Sequence, residues 1–371
     1  MAADYLNELT CNDPGRFKPV ISVFNGMIAD GLHEGAQLAI YENGELSLYL
    51  TGGKDIKSGK PVTGDNLFCI RSTTKGLTAL VIAMLCERGL LKYDDPVAKY
   101  WPEFARNGKE NITVAQVMGH RAGIPQSIAT PVSEWTDRAA VARGVEDMRP
   151  LWTPGKHNGY HASTYGWIAD ELALRLTGNN IAALLAGEVT GPLGIKDVYI
   201  GLPQSEFARF CPMAVLGETA RTRVAFNDFM NTYEGMKLPL SWGSGAATAK
   251  DLARLFNIFA FNGSYNGKTV ISRETQELIS RPTNSPEETD LILKWPVRWG
   301  LGVINGETPS IYGTERHPNA IGHAGGGANV AWADPGRKLS VAFLCNGMRT
   351  GGEEWERYRV LADSIYAIII Q

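Results

Sequence analysis

From Leu77 to Leu91 the chain places Leu77, Ala79, Leu80, Val81, Ile82, Ala83, Met84, Leu85, Leu90 and Leu91 with scarcely a polar break. The run has the length of a helix but lacks the polar face that a surface helix keeps. It therefore predicts a helix buried on nearly every side, with the rest of the chain wrapped around it. Leading into it is Cys69-Ile70-Arg71-Ser72-Thr73-Thr74-Lys75-Gly76. At 3.6 residues per turn, positions three apart share a face, so Ser72 and Lys75 point the same way in the first turn. The unpaired backbone N–H groups of a helix start favour negative charge. A Ser hydroxyl beside a partly desolvated Lys amine is a candidate nucleophile and base. Ser-x-x-Lys is short enough to arise about once by chance in such a chain, and a Ser at a helix start is more often a cap. Here it is the chain's one Ser-x-x-Lys, and it opens the most apolar helix.

The elements around that helix follow from periodicity. Phe17, Val20, Ile21, Phe24 and Met27 recur at helical spacing between Pro14 and Gly31. Ala36, Leu38 and Ile40 alternate, Asn43-Gly44 follows, and Leu46, Leu48 and Leu50 alternate again, which is a hairpin signal. Residues 51–66, rich in Gly, Lys and Asp, are expected to be an exposed loop. A short helix capped by Thr113 is expected up to Met118, with a turn at His120-Arg121-Ala122-Gly123. Helical spacing recurs over Pro131 to Asp147 and Thr164 to Leu176. It recurs again after Thr248, with Leu252, Leu255, Phe256 and Phe259 inward. Two strands, Ala328 to Ala333 and Leu339 to Cys345, flank Asp334-Pro335-Gly336-Arg337. A final helix is expected from about Glu353 to Ile370.

Strands at both ends and helices between predict an α+β protein. One antiparallel sheet is built from the N- and C-terminal segments and flanked by helices, with a helix-rich region inserted. The expected division is 1–70, 71–295 and 296–371, the middle part carrying Ser72 and Lys75 and the three forming one integrated unit. With 371 residues, 44% of them hydrophobic, core material is ample.

A net charge of −3 gives no basic excess for nucleic acid, and no segment reaches the ~20 apolar residues of a membrane span. The acidic start of the chain has no apolar stretch of the kind a secretory signal carries. Cys11, Cys69, Cys86, Cys211 and Cys345 are scattered and odd in number. They read as free thiols in a reducing compartment, so a cytoplasmic protein is expected.

Three further stretches could carry chemistry. In Trp152-Thr153-Pro154-Gly155-Lys156-His157-Asn158-Gly159-Tyr160-His161-Ala162, a Pro/Gly turn leads to Tyr160. A phenol has an ordinary pKa near ~10; a neighbouring Lys cation would lower it and make a usable base. A half-buried core Tyr is the plainer alternative. His157 and His161 are four apart, but Asn158-Gly159 argues for a turn, and no metal site is expected. Gly322-His323-Ala324-Gly325-Gly326-Gly327 permits close approach of backbone to a ligand, and its N–H groups could receive an oxyanion. There is no G-x-S-x-G elbow.

In this order, Ser72-x-x-Lys75, Tyr160 and His323-Ala324-Gly325 resemble the serine β-lactamase and penicillin-binding-protein superfamily. The nearest likeness is to class C-type β-lactamases and the family VIII carboxylesterases of the same β-lactamase/transpeptidase-like fold. Gly123-Ile124-Pro125, Pro154-Gly155, the stretch from Gly191 to Ile195, Thr248-Ala249-Lys250-Asp251, Trp299-Gly300-Leu301-Gly302 and Gly326 add to the match. The resemblance implies Ser72 as nucleophile, Lys75 as its proton acceptor or relay, and Tyr160 as second base and later acid. It implies an oxyanion hole at the Ser72 and Gly326 amides, with His323, Ala324, Gly325 and His161 towards the substrate. Two departures stand out. The Tyr-x-Asn pattern of β-lactamases reads Tyr160-His161-Ala162, and their Lys-Thr-Gly reads His323-Ala324-Gly325, which removes an amide partner and a cation. Both favour the esterase branch. The expectation is a carboxylesterase acting on small esters through a Ser72 acyl-enzyme, without metal or organic cofactor. An acyltransferase on the same site, a weak β-lactamase, and a non-catalytic binding or assembly protein are the alternatives. The oligomeric state is left open.

Overall fold

The computed structural model describes residues 5–217, 221–349 and 352–369. Residues 1–4, on which the reading of the chain's start rests, and Ile370 at the end of the last expected helix lie outside them.

Seven antiparallel strands form one sheet in the order Leu6–Cys11, Glu45–Gly53, Gly35–Glu42, Leu339–Cys345, Asn329–Asp334, Ile321–Gly325, Ile304–Asn305. The seam between the two ends of the chain is the pairing of Gly35–Glu42 with Leu339–Cys345, where Ile40 lies opposite Val341 and Leu38 opposite Phe343. The N-terminal hairpin turns at Asn43 (φ 52°) and Gly44 (φ 86°), both left-handed, as a two-residue turn joining twisted strands requires.

Side chains alternate between two cores. Leu38, Ile40, Leu48, Leu50, Val330, Trp332, Val341 and Phe343 meet Val20 and Phe24 of helix Lys18–Ala29, Phe17 just before it, and Tyr358, Leu361 and Ile365 of helix Gly352–Ile369. Ala39, Ala331, Ala333 and Ala342 point the other way, and their small size lets helix Ala249–Ala260 lie close to the sheet. Beyond it lies helix Thr74–Glu87, in which every residue from Thr74 to Leu85 is buried. Each large apolar side chain fully buried there contributes about 1.5–3 kcal/mol, so this helix is a firm mounting for whatever its N-terminus carries.

Three expectations need correction, and one sheet went unforeseen. Helix Lys18–Ala29 begins later than Pro14, because the preceding residues form a turn in which Phe17 N donates to Asp13 O. The loop expected over 51–66 begins as strand, since Thr51 pairs with Gln37 and Leu50 with Leu38, and Val62 is fully buried. Pro131 to Asp147 is not one helix. Val132–Glu134 is a single 3-10 turn, and the helix proper is Arg138–Glu146, started by Asp137 Oδ1 accepting from Ala140 N. A second, four-stranded sheet had no counterpart in the periodicity: Val198–Ile200, Gly245–Ala247, Leu67–Cys69, Phe210–Cys211. Its members are two or three residues long, too short for alternation to register. No helix among the described residues is long and apolar enough to cross a membrane.

Candidate active site

The small sheet positions Ser72. Strand Leu67–Cys69 runs straight into a 3-10 turn, Arg71–Thr73, and only then into helix Thr74–Glu87. Ser72 thus sits one turn before the α-helix and not within it. Three hydrogen bonds fix this turn. Ile70 N donates to Gly245 O (2.8 Å), Thr73 Oγ1 to Asn329 O (3.0 Å) and Thr74 Oγ1 to Arg71 O (2.5 Å). Arg71 adopts φ 50°, a left-handed conformation that costs a non-Gly residue about 1–2 kcal/mol. It is held there by Asn227 Oδ1, 2.5 Å from Nη2, and by the Phe226 ring, whose centroid lies 5.6 Å from the guanidinium carbon.

Lys75 is fully buried. Its Nζ donates to Trp242 O (2.9 Å) and lies 3.2 Å from Ser72 Oγ. Burial disfavours the ammonium form and holds its pKa well below that of a free lysine, the direction that favours accepting a proton. Tyr160 OH donates to Ser72 Oγ at 2.7 Å. Burial raises the pKa of this phenol, the Ser72 contact lowers it less, and the Asp290 charge adds to the rise. The phenolate expected from a neighbouring Lys cation is therefore not the resting form. The site sets an amine whose charged form burial disfavours and a protonated phenol on one hydroxyl.

Tyr160 is aimed by two residues to which the sequence gave no role. Its ring stacks on Trp299, 5.5 Å between centroids and 6° apart in plane. The buried Asp290 ties both together, with Oδ1 accepting from Tyr160 N (3.0 Å) and Oδ2 from Trp299 Nε1 (3.0 Å). Asp290 Oδ1 also accepts from Ile292 N and Leu293 N, both at 2.9 Å. Asp290→Asn should retain the backbone contacts through its oxygen and set an NH₂ against the indole N–H. A buried donor left unpaired costs about 1–3 kcal/mol, so denaturant unfolding should register a loss of about that size. An unchanged unfolding midpoint would remove Asp290 from this role.

Ser72, Tyr160, Trp299, His323, Ala324, Gly325, Gly326, Glu354, Trp355 and Tyr358 are among the residues around a cleft of about 320 Å³. Gly325 is pressed against the turn that carries Ser72. A Cβ there would stand 2.4 Å from Ile70 O and 3.0 Å from Ser72 N, so only glycine fits without displacing the strand. His323 is 1% exposed, and its Nδ1 lies 2.7 Å from Ala324 O. Burial and the nearby Lys75 lower its pKa to about 3, so it supplies no cation. His161 is not on the cleft wall. It is fully buried, its Nε2 accepts from Ile124 N (3.0 Å), and its Nδ1 lies 2.5 Å from Gly159 O. His120, read only as part of a turn, is also buried. Its ring lies 5.0 Å from Tyr160 and 4.3 Å from Trp299, and its Nδ1 accepts from His161 N. Ala162 is exposed and offers no hydrogen-bonding side chain.

Residues 22–364 match the family Beta-lactamase. The chain is 27% identical over 361 residues to the esterase/beta-lactamase LipL of Mycobacterium tuberculosis, covering 90% of this chain and 82% of that protein. Among solved structures, a penicillin-binding protein homologue from Caulobacter crescentus is 32% identical with a TM-score of 0.83, covering 98% of this chain and all of that one (100%). A family VIII carboxylesterase is 29% identical with a TM-score of 0.85, covering 97% of this chain and 100% of that one.

Proposed function

The chain belongs to the beta-lactamase family of serine hydrolases, and from that premise we propose that it is a carboxylesterase acting on small, uncharged esters through an acyl-enzyme on Ser72. The observation that carries this reading is the contact of Ser72 Oγ with both the buried Lys75 amine and the Tyr160 phenol. Ser72 attacks the ester carbonyl as its proton passes to the neutral amine. Negative charge on the carbonyl oxygen is received by the Ser72 and Gly326 amides. Tyr160 gives its proton to the leaving alkoxide and is reprotonated from the Lys75 ammonium, which lies over its ring at 5.0 Å. Water enters the vacated space and cleaves the acyl-enzyme by the same transfers in reverse.

Electrostatics favour an ester over a β-lactam. A β-lactam antibiotic brings a carboxylate and a side-chain amide. Here His323 is neutral, Ala162 cannot pair with an amide, and Glu354 is the one formally charged side chain among the cleft-lining residues. Two like charges attract no partner and repel through a low-dielectric wall. Short-chain aryl esters should accordingly show a kcat/KM at least ~10²-fold above that of a chromogenic cephalosporin, about the difference made by one unpaired charged contact. Comparable or reversed values would refute the substrate class.

A further inference from the structure

The C-terminal helix Gly352–Ile369 reaches the cleft with two side chains one turn apart, Glu354 and Tyr358, which share a face. Each holds a backbone group of the turn that follows strand Ile321–Gly325. Tyr358 OH donates to Gly325 O at 2.7 Å. Glu354 Oε1 accepts from Gly327 N at 2.7 Å and from Ala328 N at 3.4 Å. Gly326 lies between these two anchor points.

The carbonyl of Gly325 and the N–H of Gly326 belong to one peptide unit. A trans peptide is planar, and its C=O and N–H point in opposite directions. Fixing the carbonyl therefore fixes the N–H. The next N–H along, that of Gly327, is turned to the Glu354 carboxylate. Three consecutive glycines, Gly325 to Gly327, would otherwise give this turn wide conformational freedom. Gly325 allows the close approach to Ser72, and the helix restores the rigidity that the glycines remove.

We propose that Tyr358 is a positioning residue for catalysis: by holding the Gly325 carbonyl it aims the Gly326 N–H at the oxyanion, with Glu354 anchoring the far side of the same turn. The inference rests on the Ser72 acyl-enzyme reading. It ties the C-terminal helix, remote in sequence from Ser72, to transition-state stabilisation and not to substrate binding.

The test is Tyr358→Phe, which keeps the ring in the core and removes only the hydroxyl. Rates are normalised to active sites titrated with a phosphonate, and each variant is checked for folding by thermal melt. An aryl boronic acid serves as the probe of the hole, because its tetrahedral adduct with Ser72 places an oxygen there. Removing a whole oxyanion donor costs about 10²–10³-fold in kcat, and a donor that is present but misaimed should cost less, about 10–10²-fold. Tyr358→Phe should lower kcat by that factor and raise the boronate Ki in parallel, while KM changes little. A role confined to packing would lower the melting temperature without moving the boronate Ki of the active fraction. Glu354→Ala, which leaves the Tyr358 ring in place, should weaken boronate binding in the same sense and serves where Tyr358→Phe does not fold. A folded Tyr358→Phe with kcat and boronate Ki within about twofold of wild type overturns the inference alone, provided that the wild type is labelled at Ser72. A wild type that takes neither phosphonate nor boronate at Ser72 overturns the acyl-enzyme reading as well.

Discussion

Ser72→Ala should yield a folded protein that forms no acyl-enzyme and has kcat reduced by on the order of 10⁶, the scale seen when a serine hydrolase loses its nucleophile. The side chain is small and half-buried, and its contacts are with Lys75 and Tyr160. Removing it leaves Lys75 its bond to Trp242 O and Tyr160 its stack on Trp299, so the fold has other supports. The loss can then be assigned to chemistry. Pre-steady-state turnover of an activated aryl ester is the check. Wild type should release a burst of phenol equal to the active sites, and the variant none. A variant that retains the burst would place the nucleophile elsewhere.

The second large effect is at Lys75. Without its amine the Ser72 proton loses its acceptor, and kcat should fall towards the upper end of the ~10²–10⁴-fold range of a positioned base. Lys75→Ala also empties a fully buried site, and truncations of that kind cost about 2–5 kcal/mol. Lys75→Met is the cleaner variant, because it fills nearly the same volume without an amine. Tyr160→Phe should cost about 10²–10⁴-fold, with its ring still stacked on Trp299. The pH–rate profile separates the two roles. The free amine is the active form, and burial lowers its pKa, so activity should rise as pH climbs through that depressed value and then level off. Tyr160→Phe should keep this acidic limb, because Lys75 sets it, and Lys75→Met should lose it. A folded Lys75→Met that retains near-full kcat would make Lys75 a packing residue.

How far the sequence could be read depended on the length of each signal. The hairpin around Asn43-Gly44 and the apolar run after Leu77 each span many residues with one period; the hairpin forms as expected, and the buried helix forms but ends at Glu87, with Leu90 beyond it and exposed. The pairing of the two chain ends followed from strands that would otherwise leave apolar faces exposed. The small sheet behind Ser72 was illegible because its strands are two or three residues long. The left-handed Arg71 that leads from Leu67–Cys69 into the turn carrying Ser72 had no local mark, since Arg is not a residue that favours φ 50°. Ser72, Lys75 and Tyr160 could be picked out by spacing and resemblance, and the fold brings their polar atoms together. The protonation of that trio could not be read. Burial acts on both groups in the direction that opposes a Lys75 cation and a Tyr160 phenolate. Asp290 had no local mark because its bond to Tyr160 is made across 130 residues of chain, and Trp299, noted only as part of a matching stretch, is tied to Tyr160 through Asp290. His161 was placed near the substrate by its position next to Tyr160. The backbone there turns its ring inward, where Ile124 N and Gly159 O take both nitrogens.

The most direct test of the account is the mass of the intact protein after reaction with an aryl phosphonate, followed by peptide mapping. One equivalent should add, on Ser72, and Lys75→Met should take it up far more slowly than Tyr160→Phe or wild type. A catalytically active protein that gains no mass, or gains it on any residue other than Ser72, would contradict the account.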